Sequence, residues 1–282
     1  MALKVYFFVD SCIPLSLIFD QPFKREVEKF LRDVEKYGFQ CFMSSSVYQE
    51  CENLFSRINS LIDNTLRGVI ARFEKEKGSD PKISRNDMLI LEDFFGSRFW
   101  GRQGQRIEQE VLRAIQIWFV EKVEEKLAKQ EEARVSEISR EIFDENIKLF
   151  LKKFSLFEEL SIKYWNEAEI EPDPALVRVF EENVGIKNPN DSLHLASALH
   201  YSWENDAWPI FVTTDYVDIL IKSPMLREWL IYCSNPLFAV YWFHEIQDKF
   251  NVGFSKYIRK TERKTFQIKT LKFIFNRLAG MY

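Results

Sequence analysis

Four acids in this chain stand where a carboxylate can do chemistry. Asp10 and Asp215 each end a short apolar run of strand formers, while Glu50 and Asp191 each lie in the first turn of a helical segment. In an open parallel sheet, strand C-termini and helix N-termini share one edge, and ligands bind in the crevice there. Carboxylates far apart in sequence therefore reach a common place. An oxygen-only cluster suits a hard cation such as Mg²⁺ or Mn²⁺, which activates water and offsets the charge built up in phosphodiester hydrolysis. Taken singly, each acid has an ordinary reading as well. Asp ends strands and opens turns, Asp191 after Asn188-Pro189 complements a helix dipole, and Glu50 has Glu52 as an equal neighbour. The shared edge is what points to a site.

The elements that must position these acids are short. Lys4 to Val9 is a continuous run of strand formers, which suits a strand buried on both faces. From Pro22 to Lys36, Phe23, Val27, Phe30, Leu31 and Val34 recur at helical spacing until Gly38 stops the helix. Gln40 to Met43 is a second strand, followed by a helix with Val47, Cys51, Leu54, Phe55, Ile58 and Leu61 on one face. Strand, helix, strand, helix predicts an α/β unit with a parallel sheet. The pattern resumes late in the chain. Asp173-Pro174 starts a helix through Glu182, and Asn188-Pro189 starts another through Trp203. Pro209 to Thr214 is a third buried strand, Leu226 to Tyr232 a short helix, and Pro236 to Phe243 fits a strand or a buried helix.

Between these halves, residues 61–170 show no strand-like run. Ile107, Val111, Ala114, Ile115, Trp118, Val123 and Leu127 trace one helical stripe, and Ile138, Ile142, Ile147, Leu151 and Phe154 another. Gly78 to Pro81 and Gly96 to Gly104 read as breaks. The segment predicts an insertion of antiparallel helices. No a/d pattern lasts long enough for a coiled coil.

Four stretches together resemble the PIN-domain nuclease family. They are Val5-Tyr6-Phe7-Phe8-Val9-Asp10-Ser11, Ser44-Ser45-Ser46-Val47-Tyr48-Gln49-Glu50, Asp191-Ser192-Leu193-His194-Leu195-Ala196-Ser197-Ala198-Leu199, and Ile210-Phe211-Val212-Thr213-Thr214-Asp215. The resemblance covers residues 1–60 and 171–235. It implies a PIN-like parallel sheet flanked by helices, which the residue patterns show interrupted by a large all-helical insertion (61–170) and extended by a basic C-terminal segment (236–282). It also implies that Asp10, Glu50, Asp191 and Asp215 hold Mg²⁺ or Mn²⁺ and are the catalytic set, with Asp218 in reserve. Ser11, Thr213 and Thr214 then become polar supports able to bond a carboxylate. The implied activity is a metal-dependent endonuclease, a hydrolase acting on single-stranded RNA. Two departures stand out: Cys12 where many members place Asn, and the length of the insertion.

Other chemistries lack their residues. There is no GxxxxGK[ST], GxGxxG or GxSxG, and Cys12 removes the second acid of an Asp-x-Asp phosphotransferase. His194 reads as a buried helix histidine, and His200 has no metal spacing to it. Cys12 beside Asp10 lies in anionic surroundings that raise a thiol's pKa, so it reads as packing.

Charge is segregated. Residues 171–248 hold four Lys or Arg against twelve Asp or Glu, whereas residues 249–282 hold nine against one. In the tail, Lys256, Arg259, Lys260, Arg263, Lys264, Lys269 and Lys272 alternate with Tyr257, Phe266 and Phe273, a pattern that suits single-stranded nucleic acid and would bring a phosphate backbone to the acidic edge. The same tail equally suits docking on the acidic body. A second expectation is a PIN-like scaffold that binds a protein partner, a second copy or nucleic acid through insertion and tail. The 26 Phe, 10 Tyr and 7 Trp exclude disorder. The four unpaired cysteines, and Asp10 stopping the first apolar run, predict a cytoplasmic protein with no membrane span.

Overall fold

The computed structural model describes residues 3–19, 21–100 and 106–280. Along the chain run β1 (Val5–Val9), α1 (Cys12–Ile18), α2 (Lys24–Tyr37), β2 (Gln40–Ser44) and α3 (Ser45–Lys77). Three further helices follow, α4 (Met88–Trp100), α5 (Arg106–Ala128) and α6 (Val135–Tyr164). Then come β3 (Asn166–Ala168), α7 (Pro174–Arg178), α8 (Pro189–Glu204), β4 (Trp208–Val212), α9 (Ser223–Glu228) and β5 (Tyr232–Ser234). The chain closes with α10 (Ala239–Lys249), α11 (Phe254–Lys260) and α12 (Phe266–Ala279). Two compact units form, Met1–Cys51 with Leu156–Tyr282, and Glu52–Ser155.

The first unit is α/β. Its five strands are all parallel, in the order β3-β2-β1-β4-β5. Side chains alternate across the central strand, and both faces are aromatic. Phe7 meets Phe30 of α2 and Phe243 of α10 on one side, at 5.5 and 6.1 Å. Tyr6 and Phe8 meet Phe42 and Tyr201 of α8 on the other. Burial on both faces is why β1 reads as a continuous apolar run. α2 obeys its pattern, burying Val27, Phe30, Leu31 and Val34, and Gly38 ends it in the left-handed conformation at φ 62°.

The strand order places a switch point at the centre. From β1 the chain winds outward to β2 and β3, then returns through α7 and α8 to lay β4 on the other side of β1. The C-terminal ends of β1 and β4 therefore flank a crevice, and Asp10 N–H bonds Val212 O across it at 3.0 Å.

The basic tail packs at the other end of β4. Trp208, its first residue, is covered by Phe250, Phe254 and Tyr257, and its indole N–H donates to Val252 O. Asp206 caps the start of α11 through Ser255 Oγ and Lys256 N. A side chain at Gly253 would collide with the Asp206 carboxylate and push it off Ser255 and Lys256, so glycine preserves that cap. Phe275 of α12 stacks on Trp203 at 4.3 Å, and Arg277 bonds the buried Asp173. A five-residue strand, about 13 Å long, separates this anchorage from the acidic edge.

In the second unit, α5 and α6 run antiparallel, as the pairs Lys122–Glu145 and Lys126–Glu137 show. The buried face of α5 passes through Leu112, Ile115, Phe119 and Val123; Ile115 and Val123 are buried as expected, while Leu112 and Phe119 take the core positions expected for their half-buried neighbours Val111 and Trp118. Leu151 of α6 is exposed rather than buried, because the face through Ile138 and Ile142 continues to Asn146. Gly96 lies inside α4 and not at a break; the part of that break at 101–105 lies outside the described residues.

Three other readings are corrected. β3 falls within 61–170, where no strand was expected. Tyr232 opens β5 instead of ending a helix, and Pro236 to Phe243 resolves into a turn and the start of α10. β3 and β5 are three-residue edge strands, too short to show a period. Among the described residues no helix is long and apolar enough to cross a membrane.

Trp208→Ala is expected to cost about 4 kcal/mol, read as a lowered urea midpoint, because it empties the pocket beneath three rings. Phe273→Ala, on an exposed ring, should stay within about 0.5 kcal/mol of wild type.

Candidate metal centre at the sheet edge

Each acid reaches the crevice by a local device. Asp10 follows the last residue of β1. Its Oδ1 accepts the Ser11 N–H at 2.8 Å, and its Oδ2 accepts the Thr213 hydroxyl at 2.7 Å. Thr213 Oγ1 in turn accepts the Asp215 N–H at 3.0 Å, linking the ends of β1 and β4. Asp191 sits in the first turn of α8, where Pro189 occupies the first position and Asn188 Oδ1 caps Asn190 N–H. Asn188 Nδ2 donates to Asp191 Oδ1 at 3.0 Å, while Asp191 Oδ2 is buried without a partner.

Among the described residues two groups form, and Asp191 belongs to both. Asp10, Asp191 and His194 bring ligand atoms within 4.8 Å of one another, and so do Asp191, Asp215 and Asp218. Asp218 stands in the cluster itself; its N–H also donates to Asp215 Oδ1 at 2.9 Å. Glu50 approaches through His194, whose Nε2 is 3.7 Å from its Oε2, and it lies outside both groups. Glu52 is exposed. Ser11 supports Asp10 through its backbone N–H, and Thr214 N–H donates to Cys12 Sγ at 3.1 Å.

His194 is the residue the sequence reading undervalued. It is buried as expected, yet its Nδ1 lies 3.4 Å from Asp10 Oδ1, close enough for charge coupling but not angled as a hydrogen bond. The signal was its spacing of three from Asp191, which places both on one face of α8. Cys12 also proves to be part of the site. Its thiol donates to Asp10 Oδ2 at 3.3 Å and receives Thr214 N–H, so it bridges the two strand ends.

The charges respond to this crowding. Burial, then Asp10 and Asp215, pushes the Asp191 carboxyl up to about 7. Burial alone would raise Asp10 too, but His194, Thr213 and Cys12 outweigh it and hold that carboxyl below its usual range. Burial opposes charge on His194; Asp10, Glu50 and Asp191 nonetheless raise its pKa. Burial and then Asp10 push the Cys12 thiol well up, which keeps it protonated. The arrangement is an anionic nest with one imidazole inside it, whose protonated form the three carboxylates favour against burial.

The proposed tail contacts lie apart from this cluster. Lys256 Nζ is 3.8 Å from Asp206, Arg259 lies over the Trp203 ring at 4.8 Å, and Lys272 Nζ donates to Thr261 O at 2.5 Å. Lys260, Arg263, Lys264 and Lys269 are exposed. All seven belong to α11, α12 or the turn between them, anchored at the start of β4.

Because Asp191 titrates higher folded than unfolded, it contributes stability below about pH 4 that is lost as pH rises through about 7. In metal-free protein, Asp191→Asn should therefore be more stable than wild type at pH 8, by up to about 4 kcal/mol, with the gap closing toward pH 4 in chemical unfolding curves.

Compared with family models, curated proteins and solved structures, the chain matches none.

Proposed function

We propose that this chain is a PIN-like, Mg²⁺- or Mn²⁺-dependent endonuclease that hydrolyses phosphodiester bonds in single-stranded RNA. The observation that carries the reading is Asp191. Its Oδ2 is buried and unpartnered while Asp10 and Asp215 press on it with like charge. A buried carboxylate left in that state costs free energy that a cation would return. The donor set fits such an ion: carboxylate oxygens from Asp10, Asp191, Asp215 and Asp218, with one imidazole beside them.

Asp191 is shared by both groups, so Asp10 with Asp191, and Asp191 with Asp215 and Asp218, would hold the metal. When bound, the ion supplies the charge that activates water and neutralises the phosphodiester as it reacts. Thr213, Ser11 and Cys12 fix both oxygens of Asp10, so that carboxylate does not reorient during turnover. His194 stands between Asp10 and Glu50, which favour its protonated form, and it can hold or give up a proton at Nδ1 or Nε2. The exposed cations Lys260, Arg263, Lys264 and Lys269 would hold phosphates of the strand remote from the scissile bond. The four sequence stretches that resemble PIN nucleases lie on the elements that build the crevice.

The test is cleavage of single-stranded RNA in Mn²⁺. Wild type should cleave, Asp10→Asn should lose at least about 100-fold, and Thr213→Val about 10- to 100-fold through misplacement of Asp10. Equal cleavage by wild type and Asp10→Asn would end the proposal. In parallel, Mn²⁺ should raise the melting temperature of wild type and leave that of Asp10→Asn nearly unmoved.

A further inference from the structure

One strand away from the acids, the same sheet edge carries a cleft of a different character. It lies between the turn after β4 and the turn after β5, and its lining includes Tyr216, Ser234, Asn235, Phe238, Tyr241 and Trp242. Thr213 N–H bonds Ser234 O at 3.0 Å, so the cleft floor is tied to the strand end that positions Asp215. Three of its rings are displayed to solvent: Tyr216 is 67% exposed, and Phe238 and Tyr241 are 54% each. No lining side chain is itself charged, but Arg227 lies over the Trp242 ring at 5.1 Å, Glu245 bonds the Tyr241 hydroxyl, and Asp215 and Asp218 flank Tyr216 in the chain.

We propose that this cleft is a nucleobase subsite, holding the base of a nucleotide next to the scissile phosphate of a single strand. The proposal rests on the endonuclease reading for the identity of the strand. The chemistry of the cleft selects the occupant. Three carboxylates at the rim, Asp215, Asp218 and Glu245, outnumber the one guanidinium of Arg227 and disfavour an anion, whereas a base is neutral and flat. Exposed aromatic rings offer stacking surfaces that tolerate any base. The volume, about 330 Å³, suits one ring system. Polar groups sit at the floor to meet a base edge. Asn235 Oδ1 accepts Phe238 N–H at 3.1 Å, which leaves its amide nitrogen as a donor, while the Ser234 hydroxyl beside it donates to Asn235 O at 2.8 Å and can only accept from a base. A nucleotide presents an anionic phosphate to the carboxylate-held cation and a neutral ring to the adjacent cleft. Those are the two surfaces found side by side here.

The experiment uses the full chain and a short single-stranded oligonucleotide carrying 2-aminopurine at one position, with Ca²⁺ replacing Mn²⁺. Wild type should quench the probe and bind it about 10-fold more tightly than the same strand with an abasic site at that position. The double variant Phe238→Ala with Tyr241→Ala should lose both effects. Both rings are largely exposed, so the core is spared, and Tyr241→Phe should keep the quenching. Equal binding of base-bearing and abasic strands by wild type overturns the subsite, as does quenching that persists in the double variant. If Mn²⁺-dependent cleavage survives while base preference is absent, the subsite falls and the endonuclease stands. If base preference is present without cleavage in Mn²⁺, the subsite stands and the endonuclease reading falls.

Discussion

Asp10 and Asp191 are both buried, and the fold brings their carboxylates together at the point where the sheet reverses its winding. Two like charges at that distance cannot both ionise freely in a site with little water. The surrounding chemistry follows from this constraint. Asp10 remains charged because Thr213, Ser11, Cys12 and His194 all serve it. Asp191 absorbs the strain, with one oxygen held by Asn188 and the other left without a partner. His194, placed one helical turn beyond Asp191 on the same face of α8, is the group between these acids that can take up a positive charge.

Holding such a cluster requires a rigid frame, and the two-sided aromatic core provides one. β1 is clamped between Phe30, Phe39 and Phe243 on one face and Phe42 and Tyr201 on the other. α8 carries both Tyr201, which packs that core, and Asp191 with His194, which face the crevice. Packing and chemistry therefore share one helix. Cys12 fits the same logic, since a protonated thiol can donate to Asp10 and accept from Thr214 at once. The sulfur that seemed a departure in sequence closes a contact between β1 and β4 in three dimensions.

The tail illustrates how charge totals mislead about place. Its helices dock on the body, through Lys256 with Asp206 and Arg277 with Asp173. Lys256 and Arg259 are spent on Asp206 and Trp203, and apolar residues such as Ile258, Leu271 and Phe275 bury its helices. The remaining cations stay exposed, but around the start of β4 and not at the acids. Beside the acids lies the neutral aromatic cleft instead.

Much of the frame is local and was legible in the residues. Apolar runs marked β1, β2 and β4, Gly38 marked a left-handed helix end, and Asn188-Pro189 marked the start of α8. Those signals depend on neighbours in the chain, as do the placements of Asp10 and Asp215 at strand ends. Other features depended on distance through space. β3 and β5 exist because longer strands offer them a ladder, and Glu50 was separated from Glu52 by the direction of one helix face. The phase of α5 was set by what it packs against. Sequence alone determined which acids lie on the edge; tertiary packing decided which of them meet, that Asp218 joins and Glu50 stands back, and that His194 comes between. Strand ends and caps are set by bonds spanning a few residues, whereas carboxylate separations are set by how whole elements pack.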